Sequence, residues 1–156
     1  MRCNSKILSM VCLSLGSCER VIRSDYFFPK DFSGEVAVIY NCKDSKPPIY
    51  KGDRLQLFIP ASGILKVGTP LMTGTADTRF FIRNDSGSYD TIYRHLDKEN
   101  IEVSKKYIFF ERVMFDSCIE NKKTFTAVFF NVGVSLDVDS VRTPFEQHVF
   151  NLLCPG

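Results

Sequence analysis

GEVAVIYNC, residues 34–42, is the stretch on which the reading of the fold turns. It is rich in β-branched and aromatic residues and sets Val36, Val38 and Tyr40 on one side, as a strand requires. Working outward, the same signal recurs in short pieces separated by turns. Residues 44–52 form a polar loop containing Pro47 and Pro48. RLQLFIP (54–60) alternates Leu55 and Leu57 against Gln56 and Phe58 until Pro60 stops it. Pro60-Ala61-Ser62-Gly63 then turns the chain into ILKV (64–67), which predicts a compact hairpin. DTRFFIRNDSGSYDTIYRHL (77–96) predicts a second hairpin around Asn84-Asp85-Ser86-Gly87. YIFFERVMF (107–115) and TFTAVFFNVGV (124–134) predict two further strands, joined through Glu120-Asn121-Lys122-Lys123.

One helix is expected, at the C-terminal end. Thr143-Pro144-Phe145-Glu146 supplies a capping Thr, a Pro at the first helical position and a Glu at the third. Phe145, Val149 and Leu152 follow at helical spacing, so this helix should lie across a sheet face or edge. The fold class expected is mainly β: an antiparallel sandwich of seven or eight short strands with one C-terminal helix.

The chain has 14 Phe and no Trp, and Phe occurs in doublets at 27–28, 80–81, 109–110 and 129–130. Neighbours on a strand point to opposite faces, so each doublet sends one ring inward and one outward. Either the outer face is covered, by the helix or by long loops, or it is a surface for a partner. Coverage is the expectation, because monomers rarely expose large apolar patches.

Before GEVAVIYNC the chain reads differently. Arg2 and Lys6 form a positive region, Ile7–Leu15 a short apolar one, and Leu15-Gly16-Ser17-Cys18 a small-residue site ending in a thiol. This is the pattern of a lipoprotein signal, in which Cys18 carries diacylglycerol through a thioether. Several acyl chains, at about 0.8 kcal/mol per buried methylene, hold a protein on a membrane lastingly. The expected organisation is a leader over residues 1–17, a short tether over 18–25 and one β-rich domain over 26–154. The competing reading is an unprocessed N-terminus that happens to contain Cys18.

Composition narrows the function classes. The 156 residues are 44% hydrophobic and 24% charged, enough apolar material for a core in one domain. The formal charge is +2, but Arg2 and Lys6 belong to the leader, which has no acid; the remainder balances 18 basic against 18 acidic side chains. Lys and Arg form no stripe, so nucleic acid is not an expected partner. After processing, Cys42, Cys118 and Cys154 remain, an odd number without a C-x-x-C pair. A Cys42–Cys118 bridge is one arrangement open to an oxidising compartment. The motifs of serine hydrolases, zinc proteases and phosphate-binding loops are absent. His95 and His148 show no metal-ligand spacing with any Cys. Asp137-Val138-Asp139-Ser140 lacks the central Gly and distal Glu of a calcium loop. No catalytic residue, cofactor or metal is therefore assigned.

FFPKDFSGEVAVIYN (27–41) and IPASGILKVG (59–68) carry a further likeness. The chain resembles an uncharacterised family of small bacterial domains, often secreted or lipoprotein-borne. The match rests on Phe28-Pro29, Phe32 and Gly34, on Ile59-Pro60 and Gly63-Ile64-Leu65, and on FFNVG (129–133) as a closing strand. The resemblance implies a lipoprotein-associated β-domain and brings no activity, substrate or catalytic residue.

Three functions stay open at this point. The leading one is a non-catalytic binding or structural module of the bacterial cell envelope, lipid-anchored to a membrane through Cys18, with an envelope protein as its partner. The second is a small envelope hydrolase or thiol enzyme using His95 or His148 with Cys118. The third is a soluble intracellular interaction protein of the immunity type, if the leader is not processed.

Overall fold

The computed structural model describes residues 21–43, 45–72, 74–97, 102, 104–117, 124–134 and 144–154. Among these, nine strands run in chain order: β1 (Val21–Phe28), β2 (Gly34–Tyr40), β3 (Ile49–Lys51), β4 (Arg54–Phe58), β5 (Ile64–Lys66), β6 (Thr75–Arg83), β7 (Tyr89–Arg94), β8 (Tyr107–Ser117) and β9 (Thr124–Gly133). A 3-10 turn (His95–Asp97) follows β7, and helix α1 (Pro144–Leu153) follows β9. The strands make one mixed sheet in the order β3-β4-β1-β6-β7-β8-β9-β2-β5.

The sheet curls on itself into a half-barrel. β1 and β2 stand five places apart in the strand order, about 24 Å along a flat sheet. Yet the hydroxyls of Tyr26 on β1 and Tyr40 on β2 lie 3.3 Å apart. Curling brings the inner face of the first half (Tyr26, Phe28, Leu55, Leu57, Phe80, Ile92) against that of the second (Val36, Val38, Tyr40, Ile108, Val128, Phe130, Val132). The two halves join through β7 and β8, which pair only at Tyr93↔Tyr107 and Arg94↔Ile108.

GEVAVIYNC is central for a reason the one-sided pattern concealed. Val36, Val38 and Tyr40 fill the curl, while Ala37 and Ile39 form a second core on the outer face with Phe125, Ala127 and Phe129 of β9. Helix α1 caps this second core with Val149 and Leu153. A strand buried on both faces reads as a near-continuous apolar run. The expected helix face is corrected by one position: Leu153 is buried, whereas Leu152 is half exposed. At about 100° per residue the buried Glu146, Val149 and Leu153 share one stripe, and Leu152 lies about 60° or more from each of them, at its exposed edge. Buried Glu146 is ion-paired with Arg112 of β8, which fixes the helix on the sheet. The capping Thr143 lies outside the described residues.

The antiparallel sandwich is corrected as well. Four neighbouring pairs are parallel: β1–β4, β1–β6, β2–β5 and β7–β8. The hairpin expected over residues 54–67 does not form. β4 pairs with β1 and β5 with β2, so Pro60–Gly63 carries the chain across the open side of the curl. Gly63 makes that crossing possible. Its φ is +75°, and a Cβ there would meet the Glu35 carbonyl oxygen at 2.3 Å. Residues 29–33 make the crossing from β1 to β2, with Phe32 stacked on Phe28 at 5.3 Å. Two strands escaped the sequence reading. Residues 49–51 of the expected loop are β3, and residues 21–25 of the expected tether are the first part of β1. The β6–β7 hairpin forms as expected, and β8 and β9, expected as two further strands, pair antiparallel.

Candidate functional site

The outer face of the second half is covered by α1. No described element covers the outer face of the first half, and this face holds an organised set of side chains. In β1, alternation turns Arg23, Asp25 and Phe27 outward while Tyr26 and Phe28 face the core. Register then aligns Phe58 of β4, Phe27 of β1 and Phe81 of β6 in one row. Phe27 stacks on Phe58 at 4.9 Å and 18° and on Phe81 at 5.2 Å and 17°. Tyr89 of β7 closes on Phe27 edge-on at 5.0 Å. Phe58 and Tyr89, at the ends of the row, are 49% and 44% exposed. Because the ring faces are taken up by one another, the row presents ring edges to the outside.

Beside the aromatic row lies a charged cluster. Arg54 of β4 donates through Nε to Asp25 at 2.6 Å and through Nη1 to Asp77 at 2.7 Å. Its Nη2 reaches the backbone carbonyls of Ser24 (3.2 Å) and Asp77 (3.0 Å). Gln56 donates to the second Asp25 oxygen at 2.9 Å. Asp25 and Gln56 are buried. Burial works against the Arg54 charge, but the bonds to Asp77 and Asp25 outweigh it and raise its pKa. The Arg54 hydrogen bond in turn lowers that of Asp77. Arg23 is ion-paired with Asp53 and lies 3.5 Å from Asp77, and Arg79 lies 3.8 Å from Asp77. The cluster is fully satisfied, as a buried charged group must be to persist.

Two clefts border this face. One of about 340 Å³ opens between β6 and β7, walled by Arg79, Phe81, Tyr93 and Arg94. The other, about 510 Å³, lies by the β6–β7 hairpin, with Lys30, Arg83, Asp85, Lys105 and Lys106 on its walls. Lys30 spans 2.5 Å to Asp85, and Lys106 donates to the Phe32 carbonyl at 2.8 Å. Deep inside the curl, burial raises the Tyr26 pKa well above that of an ordinary tyrosine, and the nearby Tyr40 adds to it.

The residues singled out in the sequence fall in different places. His95 sits in the turn after β7, its ring 4.9 Å from that of Phe109. His148 is exposed on α1. Cys154 is disulfide-bonded, and the Cys42 sulfur lies 3.6 Å from the Ile39 carbonyl oxygen. Cys18, Cys118, Asp137 and Asp139 lie outside the described residues. Among the described residues no group of three His, Cys, Asp or Glu is placed to hold a metal ion. No helix among them is long and apolar enough to cross a membrane.

The Phe doublets divide between the two outcomes foreseen for them. Phe130 and Phe129 of β9 face the inner core and the helix-covered core respectively. In β1 and β6, Phe28 and Phe80 are core, while Phe27 and Phe81 belong to the open row. Sequence reasoning missed the Asp25–Arg54–Asp77 cluster. Its one local signal is that Asp25 and Phe27 share a strand face, which is visible only once residues 21–25 are read as strand.

A model of a family of unknown function (DUF6843) matches residues 22–133, the span from β1 to the end of β9. No curated protein matches the chain. Among solved structures, a crystal structure of a candidate lipoprotein from Bacillus anthracis shares the fold with a TM-score of 0.64. The two are 16% identical, and the match covers 86% of this chain and 93% of the other.

Proposed function

The chain belongs to the family of unknown function DUF6843, and from that premise we propose that it is a non-catalytic binding or structural module of the bacterial cell envelope, lipid-anchored to a membrane through Cys18. The observation that carries the proposal is the Leu15-Gly16-Ser17-Cys18 site standing three residues ahead of β1. A lipid-bearing Cys18 would sit at the threshold of the folded domain, where the linker need supply only Glu19 and Arg20. That the Bacillus anthracis neighbour is itself a candidate lipoprotein agrees with this placement. The Cys154 disulfide agrees too, since such bonds persist in oxidising compartments.

The open outer face of β4-β1-β6-β7 is the surface on which such a module would make its contacts. Its aromatic row is rigid, because each ring is held by its neighbours, and charged groups on the same face supply direction.

Membrane fractionation of the native chain beside Cys18→Ala tests the proposal. The native chain is expected in the detergent-soluble membrane fraction and the variant in the soluble fraction or with its leader retained. Both chains in the soluble fraction would overturn it.

A further inference from the structure

We propose that the outer face of β4-β1-β6-β7 lies against the surface of the bilayer that holds the anchor, with the aromatic row at the headgroup level and the neighbouring guanidiniums on lipid phosphates. This rests on the lipid-anchored reading and adds an orientation and a ligand class to it.

Reach is the first argument. From Cys18 to Val21 the chain spans at most about 10 Å fully extended. β1 then runs its eight residues, about 26 Å, with Val21, Arg23, Asp25 and Phe27 turned to the outer face. The anchor therefore keeps the whole of this face within reach of the membrane. So short a tether turns contact with lipid into an intramolecular event at an effective concentration of roughly millimolar or above. Even a weak surface affinity is then populated.

Composition is the second argument. The face combines Phe58, Phe27, Phe81 and Tyr89 with Arg23, Arg54, Arg79, Arg83 and Lys51, against Asp25, Asp53 and Asp77. Aromatic rings beside Arg and Lys are what the interfacial zone of a bilayer accepts. The cationic excess suits anionic headgroups. Arg79 is 56% exposed and Arg23 43%, so both can reach phosphate without breaking the Arg54 cluster. Elsewhere in the described fold the core occupies most of the inner face and α1 covers the outer face of β2 and β9, which leaves Val113 and Phe115 at the end of β8 and Leu96 after β7 as separate exposed apolar side chains without an Arg-flanked aromatic row.

The test uses the absence of Trp from the chain, which makes any introduced Trp the sole reporter. Full-length, lipidated Tyr89→Trp is reconstituted in vesicles of phosphatidylcholine and phosphatidylglycerol in equal parts, with or without brominated acyl chains. Leu152→Trp, on the exposed side of α1, is the control, and Phe58→Trp is a second reporter should Tyr89→Trp fold poorly. Intact mass is recorded for each sample. The expected result is strong quenching of the Trp at 89 or 58 by brominated lipid, with little at 152. Acylated protein whose reporter at 89 or 58 is quenched no more than that at 152 would overturn the orientation and leave the anchor standing. A reporter shielded from both lipid and aqueous quencher would overturn it in favour of a protein partner or a second copy. Absence of acyl mass on Cys18 would remove the anchored reading itself, and the orientation with it.

Discussion

Phe27 and Phe28 are adjacent in sequence and share one backbone, yet the curled sheet assigns them opposite environments, so truncating each in turn separates the two faces. Phe28 is 1% exposed and lies between Phe32 at 5.3 Å and Phe130 at 6.1 Å. Phe28→Ala removes a fully buried ring from both halves of the core and leaves a cavity, at about 3–5 kcal/mol. Phe27 is half-buried and loses two stacked neighbours and one edge contact. Half the transfer value of a Phe plus a share of the pair terms puts Phe27→Ala at about 1–2 kcal/mol. Urea unfolding followed by circular dichroism reads both, the midpoint shifting while the slope stays constant. At about 4 °C per kcal/mol, the thermal midpoints should fall by roughly 12–20 °C for Phe28→Ala and 4–8 °C for Phe27→Ala. Equal losses, or the larger loss at Phe27, would refute the assignment of faces.

The other predictions concern charge, pH and backbone. Arg54→Met leaves the buried Asp25 without its guanidinium and should cost about 3 kcal/mol or more, whereas Arg23→Met, in an exposed pair, should cost about 0–1 kcal/mol; urea midpoints compare them. Burial, and then Tyr40, raises the Tyr26 pKa above the ordinary 10.0, so the unfolded chain gives up this proton first. Stability should accordingly be full below about pH 10 and fall as the pH rises beyond it, and Tyr26→Phe should blunt that alkaline loss in unfolding measured from pH 8 to 12. Gly63→Ala combines a positive φ with a clash against the Glu35 carbonyl and should cost at least about 2 kcal/mol by the same assay, with near-neutral behaviour arguing against the crossing.

The strands that alternate cleanly were legible. RLQLF announces its inward Leu55 and Leu57, and NDSG announces a hairpin that closes with Asn84 N–H donating to the Ser88 carbonyl at 2.8 Å. Pairing was not legible, because parallel partners are set by where a crossing lands, and local residues do not encode that. Pro60–Gly63 has the composition of a hairpin turn and serves instead as a crossing. The motifs around Pro29 and Pro60 mark two of the points at which the chain passes between the halves of the curl, β1 to β2 and β4 to β5. β1 was hidden because Ser24 and Asp25 break its apolar pattern. Asp25 is tolerated there only through Arg54 and Gln56, about thirty residues away, and such a partner is invisible before the fold is known. For the same reason the aromatic row could be foreseen as outward rings but not as a stack. Register, not sequence, aligns Phe27, Phe58 and Phe81.

The measurement that bears most directly on the anchored module is the intact mass of the chain extracted from the membranes of its own host. A chain that begins at Cys18 and carries diacylglycerol mass is the predicted result. A chain that retains Met1 or Arg2 and carries no acyl mass would contradict it, and Leu15-Gly16-Ser17-Cys18 would then be ordinary protein sequence.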